Sequence, residues 1–238
     1  MKNQKVLPKK YFTDFGIDKS WLELLRPVLS SPEMYKLMSR IEATYKLKVV
    51  FPHRNNWFHA FRITKAKDIK VLILGESPYH TVINGKPVAH GLAFSYKKQG
   101  VLDAYEPKPL INILKEVEND IHDGMCFGEC LETDLTKWAK QGVLLLNVAL
   151  TVERGKAGSH TSYWLPIMKK IIQLISESNP SLIVMLWGEN VKGAKALLSP
   201  HNHILECGYP TSDNWFENKH FSKANQILQE NGKKEIDW

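Results

Sequence analysis

The hexapeptide Gly75-Glu76-Ser77-Pro78-Tyr79-His80 sets a carboxylate, a hydroxyl, a phenol and an imidazole close together at the end of an apolar run over residues 69–74. The Ser77 hydroxyl can hold a water molecule. Being neutral, it cannot by itself stabilise a developing cation or serve as a base. Two further apolar runs end on useful groups. Asn147 closes the run 143–146 with an amide that both donates and accepts hydrogen bonds, and Gly188 follows the run 182–187. Phe94 adds an aromatic face. His80 and His90 read as hydrogen-bonded structural histidines. His122, Cys126 and Cys130 recur at four-residue intervals and could line one helical face as metal ligands. Gly124, Gly128 and the mixed polarity around them argue for a loop, and no second ligand pair follows, so no metal centre is expected.

These groups lie far apart in sequence, so a fold must bring strand ends together to unite them. The continuous apolar runs at 69–74, 143–146 and 182–187 read as strands buried on both faces, with a further strand at 203–207. Apolar residues fall at helical spacing over 20–45 and 109–121, and helix-like stretches occupy 165–177, 190–198 and 219–230. This alternation predicts an α/β fold, a mostly parallel sheet with helices on both faces. In such sheets ligands bind beyond the carboxyl ends of the strands. No repeat, low-complexity tract or linker divides the chain, and 238 residues with 43% hydrophobic content can bury one sizeable core. A single domain over 1–238 is expected.

The 32 Lys and Arg against 25 Asp and Glu give a net charge of +7, with a pI near 9.1. That balance favours a polyanionic partner. The absence of a long apolar stretch argues against a membrane span, and the N-terminus leads into no signal core. Three cysteines suit a reducing compartment. The expectation is a soluble, intracellular monomer.

The motifs resemble those of family 1 uracil-DNA glycosylases. The hexapeptide is similar to that family's Gly-Gln-Asp-Pro-Tyr-His loop, and Ala89-His90-Gly91-Leu92-Ala93-Phe94-Ser95 matches a family segment. Gln141-Gly142-Val143-Leu144-Leu145-Leu146-Asn147, Leu186-Trp187-Gly188 and the terminal Ile236-Asp237-Trp238 resemble three more. The likeness runs from about residue 50 to the C-terminus, leaving 1–48 as a helical or extended segment outside it. It implies a uracil-DNA glycosylase-like fold with a four-stranded, mostly parallel sheet. It also implies a DNA partner, preferably uracil-bearing, and a reaction that needs no cofactor. By the resemblance, Phe94 stacks on an extruded uracil, and Asn147 pairs with its O4 and N3–H. Tyr79 excludes the methyl group of thymine, and the backbone N–H of Glu76 faces O2. Lys108, Pro109 and Gly188 fall at DNA contacts.

Where the sequence departs from the family, the losses concern chemistry. Ser77 replaces the water-orienting aspartate, and Tyr209 stands where a histidine donates to O2. Glu76 replaces glutamine and brings an adverse charge toward phosphate. Pro109 replaces a serine, a loss that Lys108 can offset. The segment Asp213-Asn214-Trp215-Phe216-Glu217 is shorter than its counterpart and lacks the family's leucine wedge. Trp215 and Phe216 are candidates for a substitute wedge or stacking platform, or else form a pair tucked against the next helix. The expected function is recognition of uracil in DNA with hydrolysis impaired or lost. The alternatives are an active divergent glycosylase using Glu76, Ser77 and Tyr209, and a non-catalytic docking subunit built on the same fold.

Overall fold

Four apolar runs form the strands β1 (Val71–Gly75), β2 (Val143–Asn147), β3 (Ile183–Trp187) and β4 (His203–Cys207). They hydrogen-bond in the order β2-β1-β3-β4, every pair parallel. The computed structural model describes residues 6–98, 100, 103–122 and 132–238. Every residue of β1, β2 and β3 is buried, including β2 at one edge of the sheet, whereas β4 at the other edge is half-exposed. The difference in burial explains the sequence: the buried strands carry continuous apolar runs, and the half-exposed β4 mixes His203 and Glu206 into its run.

The sheet is flanked by helices, the longest being α1 (Pro32–Leu47), α2 (Lys108–Ile121), α3 (Thr161–Ser178) and α4 (His220–Glu230). The helical spacing over 20–45 resolves into Lys19–Leu24, Arg26–Leu29 and α1. Prolines cause the division. Pro27 and Pro32 sit in the first turns of the second and third pieces, where a missing N–H costs nothing, and would break a continuous helix. Ser31 caps α1 by accepting from the Met34 N–H at 3.1 Å. The stretch 190–198 likewise becomes a short helix, Glu189–Lys192, followed by a 3-10 turn, Gly193–Leu197. Of the His122, Cys126 and Cys130 set, only His122 is among the described residues, as the C-cap of α2.

One apolar cluster runs from Phe12 to Trp238, so the N-terminal helices and the sheet share a core. Phe15 stacks on Trp57 and meets Phe58 edge-on. No helix among the described residues is long and apolar enough to cross a membrane. The register fixes the functional end of the sheet: Gly75 lies opposite Asn147, and Trp187 opposite Cys207. The segments after all four strands therefore leave the sheet at the same edge.

Candidate functional site at the strand ends

Beyond that edge lies a cavity of about 270 Å³. Its lining brings together Glu76, Ser77, Tyr79, Phe94, Asn147 and Tyr209, from four separate segments. A neighbouring cavity of about 170 Å³, lined also by Trp187 and Gly188, shares the Glu76, Phe94 and Tyr209 walls.

Asn147 forms the polar part of the wall. It is 6% exposed, and among the described residues its amide takes part in no hydrogen bond to protein. A buried amide is normally satisfied, so this one is arranged to meet a partner that enters the cavity. Gly75 lets it sit there. A Cβ on Gly75 would come within 2.3 Å of the Asn147 Oδ1, so any side chain at 75 displaces the amide.

Phe94 and Tyr79 lock one another. Phe94 has φ +62°, a conformation few non-glycine residues adopt, and its carbonyl accepts from the Tyr79 hydroxyl at 2.8 Å. Burial, reinforced by Tyr209 and Tyr105, pushes the Tyr79 phenol well above its ordinary range, so it stays a donor. The Phe94 ring lies 5.6 Å from Trp187 and 6.4 Å from Tyr209. His90 takes the structural role expected of it. Its Nε2 lies 2.8 Å from the Ser95 hydroxyl, which accepts from the Leu135 N–H at 2.9 Å. Burial lowers its pKa against the opposing pull of Asp134.

The departures from the family motifs line the same cavity. Ser77 is partly exposed and makes no hydrogen bond among the described residues, so its hydroxyl is free to bind water. The Glu76 carboxylate accepts from the Asn190 Nδ2 at 2.8 Å. Tyr209 is 40% exposed, and burial followed by the Glu76 charge raises its phenol, which remains protonated. Gly188, at φ +90°, lets Tyr209 approach, since a Cβ there would lie 3.0 Å from that of Tyr209. Pro109 lines the cavity. Lys108 is exposed beside it.

Trp215 is a correction: it cannot serve as a wedge or platform. It is 0% exposed, its Nε1 donates to the Asn112 carbonyl at 3.0 Å, and its ring packs 5.0 Å from that of Trp187. With an indole this large, burial in the core outweighs display on the surface. Phe216 alone is displayed, at 43%.

The family model described as the uracil DNA glycosylase superfamily matches residues 61–233. This chain belongs to that superfamily. Curated relatives include a "Uracil-DNA glycosylase" of Anoxybacillus flavithermus, 36% identical over 93% of this chain and 96% of the relative. One from Aliarcobacter butzleri is 37% identical over 92% of this chain and all of the relative. Alignments this long reach into the N-terminal helices. Among solved structures, mimivirus uracil-DNA glycosylase superposes with a TM-score of 0.81 at 22% identity, covering 96% of this chain and 92% of its own. A UNG of Nitratifractor salsuginis gives 0.65 at 16%, covering 94% and 96%. At these identities the two structures show the shared fold.

In this superfamily member the cleft also rests on residues that motif reading passed over. Asn112, Glu116 and Asp120 recur every fourth residue along α2 and grip the segment that carries Tyr209 and Trp215. Asn112 Nδ2 donates to the Pro210 carbonyl at 2.7 Å. The Glu116 carboxylate, 1% exposed, accepts from the N–H groups of Glu217 and Lys219 at 2.9 and 3.1 Å. Asp120 holds the N–H and hydroxyl of Ser222 at 2.8 and 2.6 Å. The four-residue spacing on an amphipathic helix was the available signal. Arg154 and Lys156, both exposed, lie just before Ala157, which lines the cavity.

Proposed function

We propose that this chain recognises uracil carried by DNA and hydrolyses its glycosidic bond poorly. The observation that carries the reading is the unpartnered Asn147 amide in one cavity with Phe94 and Tyr79. An amide so placed can donate to uracil O4 and accept from N3–H. Cytosine presents a donor at position 4 and no proton at N3, so both contacts become mismatches. Phe94 supplies the stacking face, and Tyr79, held by its bond to the Phe94 carbonyl, occupies the space a 5-methyl group would need. The net charge of +7 and the exposed Lys108, Arg154 and Lys156 favour the DNA backbone. The chain acts in this reading as one domain and a monomer, inside the cell, without a cofactor.

Chemistry is the weaker half of the site. Hydrolysis builds positive charge on the sugar and negative charge on the departing base. Ser77 brings a water-binding hydroxyl without the charge, and the Tyr209 phenol is the donor available near O2. A second reading, a slower but active glycosylase, is favoured by the names of the relatives and by the Glu76 carboxylate on the same cavity wall. Single-turnover excision on a uracil-bearing oligonucleotide decides between them. The first reading expects slow or undetectable release; rapid multiple-turnover release establishes the second.

A further inference from the structure

We propose that the end of the sheet opposite the cleft is a second contact surface for a DNA backbone, so that one molecule holds two DNA segments at once. The inference rests on DNA as the partner and is independent of whether the cleft reads uracil. β1 begins at Val71 and the cleft lies past Gly75, so about 17 Å of extended chain separates the two ends. Three segments meet at the far end. The turn Ala66–Asp68 leads into β1, and the Lys70 N–H donates to the Gly142 carbonyl, just ahead of β2, at 2.9 Å. The C-terminal segment crosses both. Lys70 Nζ donates to the Lys234 carbonyl at 2.8 Å, and the Gln141 side chain exchanges two bonds of 2.9 Å with the backbone of Asp237.

These contacts gather Lys65, Lys67, Lys70, Lys140, Lys233 and Lys234 at one end of the molecule, all of them exposed except the half-buried Lys70. Among the described residues none of these lysines is in an ion pair. The carboxylates nearby are engaged or outnumbered. Asp237 pairs with Lys137 at 2.8 Å, and Asp18 accepts from the N–H and hydroxyl of Ser20 at 3.0 and 2.5 Å. Glu235 accepts from Gln229. Burial, then the charges of Lys234 and Lys233, lowers the Lys70 pKa in spite of Asp68 beside it, so the ammonium groups repel one another where they stand. An anion relieves that repulsion. The surface suits a DNA backbone better than a protein partner because it offers no apolar anchor. The large apolar side chains exposed among the described residues include none from 65–70, 137–142 or 233–238. Lysines contact phosphates as point charges and read no sequence. A protein so equipped stays on one segment while it leaves the other.

The test is sedimentation equilibrium of the protein with an excess of a short thymine-bearing duplex, which weighs the complex without calling on the base pocket. At about 50 mM salt the expected complex is one protein with two duplexes. Affinity for the second duplex should fall about a hundredfold between about 50 and about 200 mM salt, as for roughly four phosphates neutralised. Lys65→Gln, Lys67→Gln, Lys233→Gln and Lys234→Gln made together should leave one duplex bound and the melting temperature unchanged. Taking four exposed lysines from α1 and α3 instead, as Lys36→Gln, Lys46→Gln, Lys169→Gln and Lys170→Gln, lowers the net charge equally and should leave two duplexes bound. A complex that stops at one duplex, a complex that holds two duplexes only by pairing two proteins, a second duplex that survives the first set of substitutions, or one lost equally in both sets overturns the inference while leaving the DNA reading intact. No binding of any duplex overturns both. Polyglutamate bound at this surface more tightly than the duplex would assign it to an acidic protein and contradict the proposal.

Discussion

Ser77 lines the cavity with an unengaged hydroxyl, next in sequence to a carboxylate that accepts from Asn190. Glu76 is oriented by Asn190, and a carboxylate at 77 itself would stand at the position of the family's aspartate. Ser77→Asp should raise single-turnover excision by at least about tenfold, a modest part of what a positioned acid or base contributes. Tyr209→His in addition should give a further, non-additive gain, because both groups act on one transition state. For recognition, Asn147→Ala and Phe94→Ala should each weaken uracil binding by about 1–3 kcal/mol while leaving thymine-strand affinity nearly unchanged, as paired titrations would show. That Asn147, Phe94 and Tyr79 meet in one cavity was legible in the sequence because each stands at a strand end or in a motif expected at the carboxyl edge of the sheet. The place of Trp215 was not. An exposed platform and a buried anchor have the same side chain, and the choice between them depends on a turn whose bonds to α2 are long-range.

At the scale of elements, the three buried strands declared themselves by unbroken apolar runs, and α2, α3 and α4 were legible to within a few residues by their spacing. The helical spacing over 20–45 is carried by three helices because apolar periodicity continues across Pro27 and Pro32 while the backbone cannot. The grip of α2 on the 208–222 segment was visible only as polar residues at every fourth position, and their partners lie about a hundred residues away. That grip is testable. Glu116 accepts two N–H groups in a stretch where Glu217 and Lys219 have φ of +64° and +53°. Glu116→Ala leaves those donors without their acceptor and should lower stability by about 2–4 kcal/mol in denaturant unfolding. Glu116→Gln, which keeps one acceptor oxygen, should recover part of the loss.

For the whole molecule, the core behind the cleft makes stability sensitive to acid. His220 is buried, and its Nδ1 accepts from the Trp187 indole at 3.0 Å. Burial, with Lys223 adding to it, lowers its pKa from 6.5 to about 4. The unfolded chain therefore takes up this proton first as the pH falls. Stability should be full above about pH 6.5 and decline toward pH 4, with His220 contributing a slope of up to about 1.4 kcal/mol per pH unit. Melting curves across that window should flatten in His220→Asn. The net charge of +7 predicts DNA affinity that falls steeply with salt for any sequence, so affinity alone says little about the pocket. The ratio of affinities does. The most direct measurement is the binding of single-stranded uracil-bearing and thymine-bearing oligonucleotides, matched in every other base, across a series of salt concentrations. A pocket read by Asn147, Phe94 and Tyr79 predicts that both affinities fall together while uracil stays favoured by about tenfold or more throughout. Equal affinities at every salt concentration would mean that the chain holds DNA by charge alone and that the cavity at the strand ends reads no base.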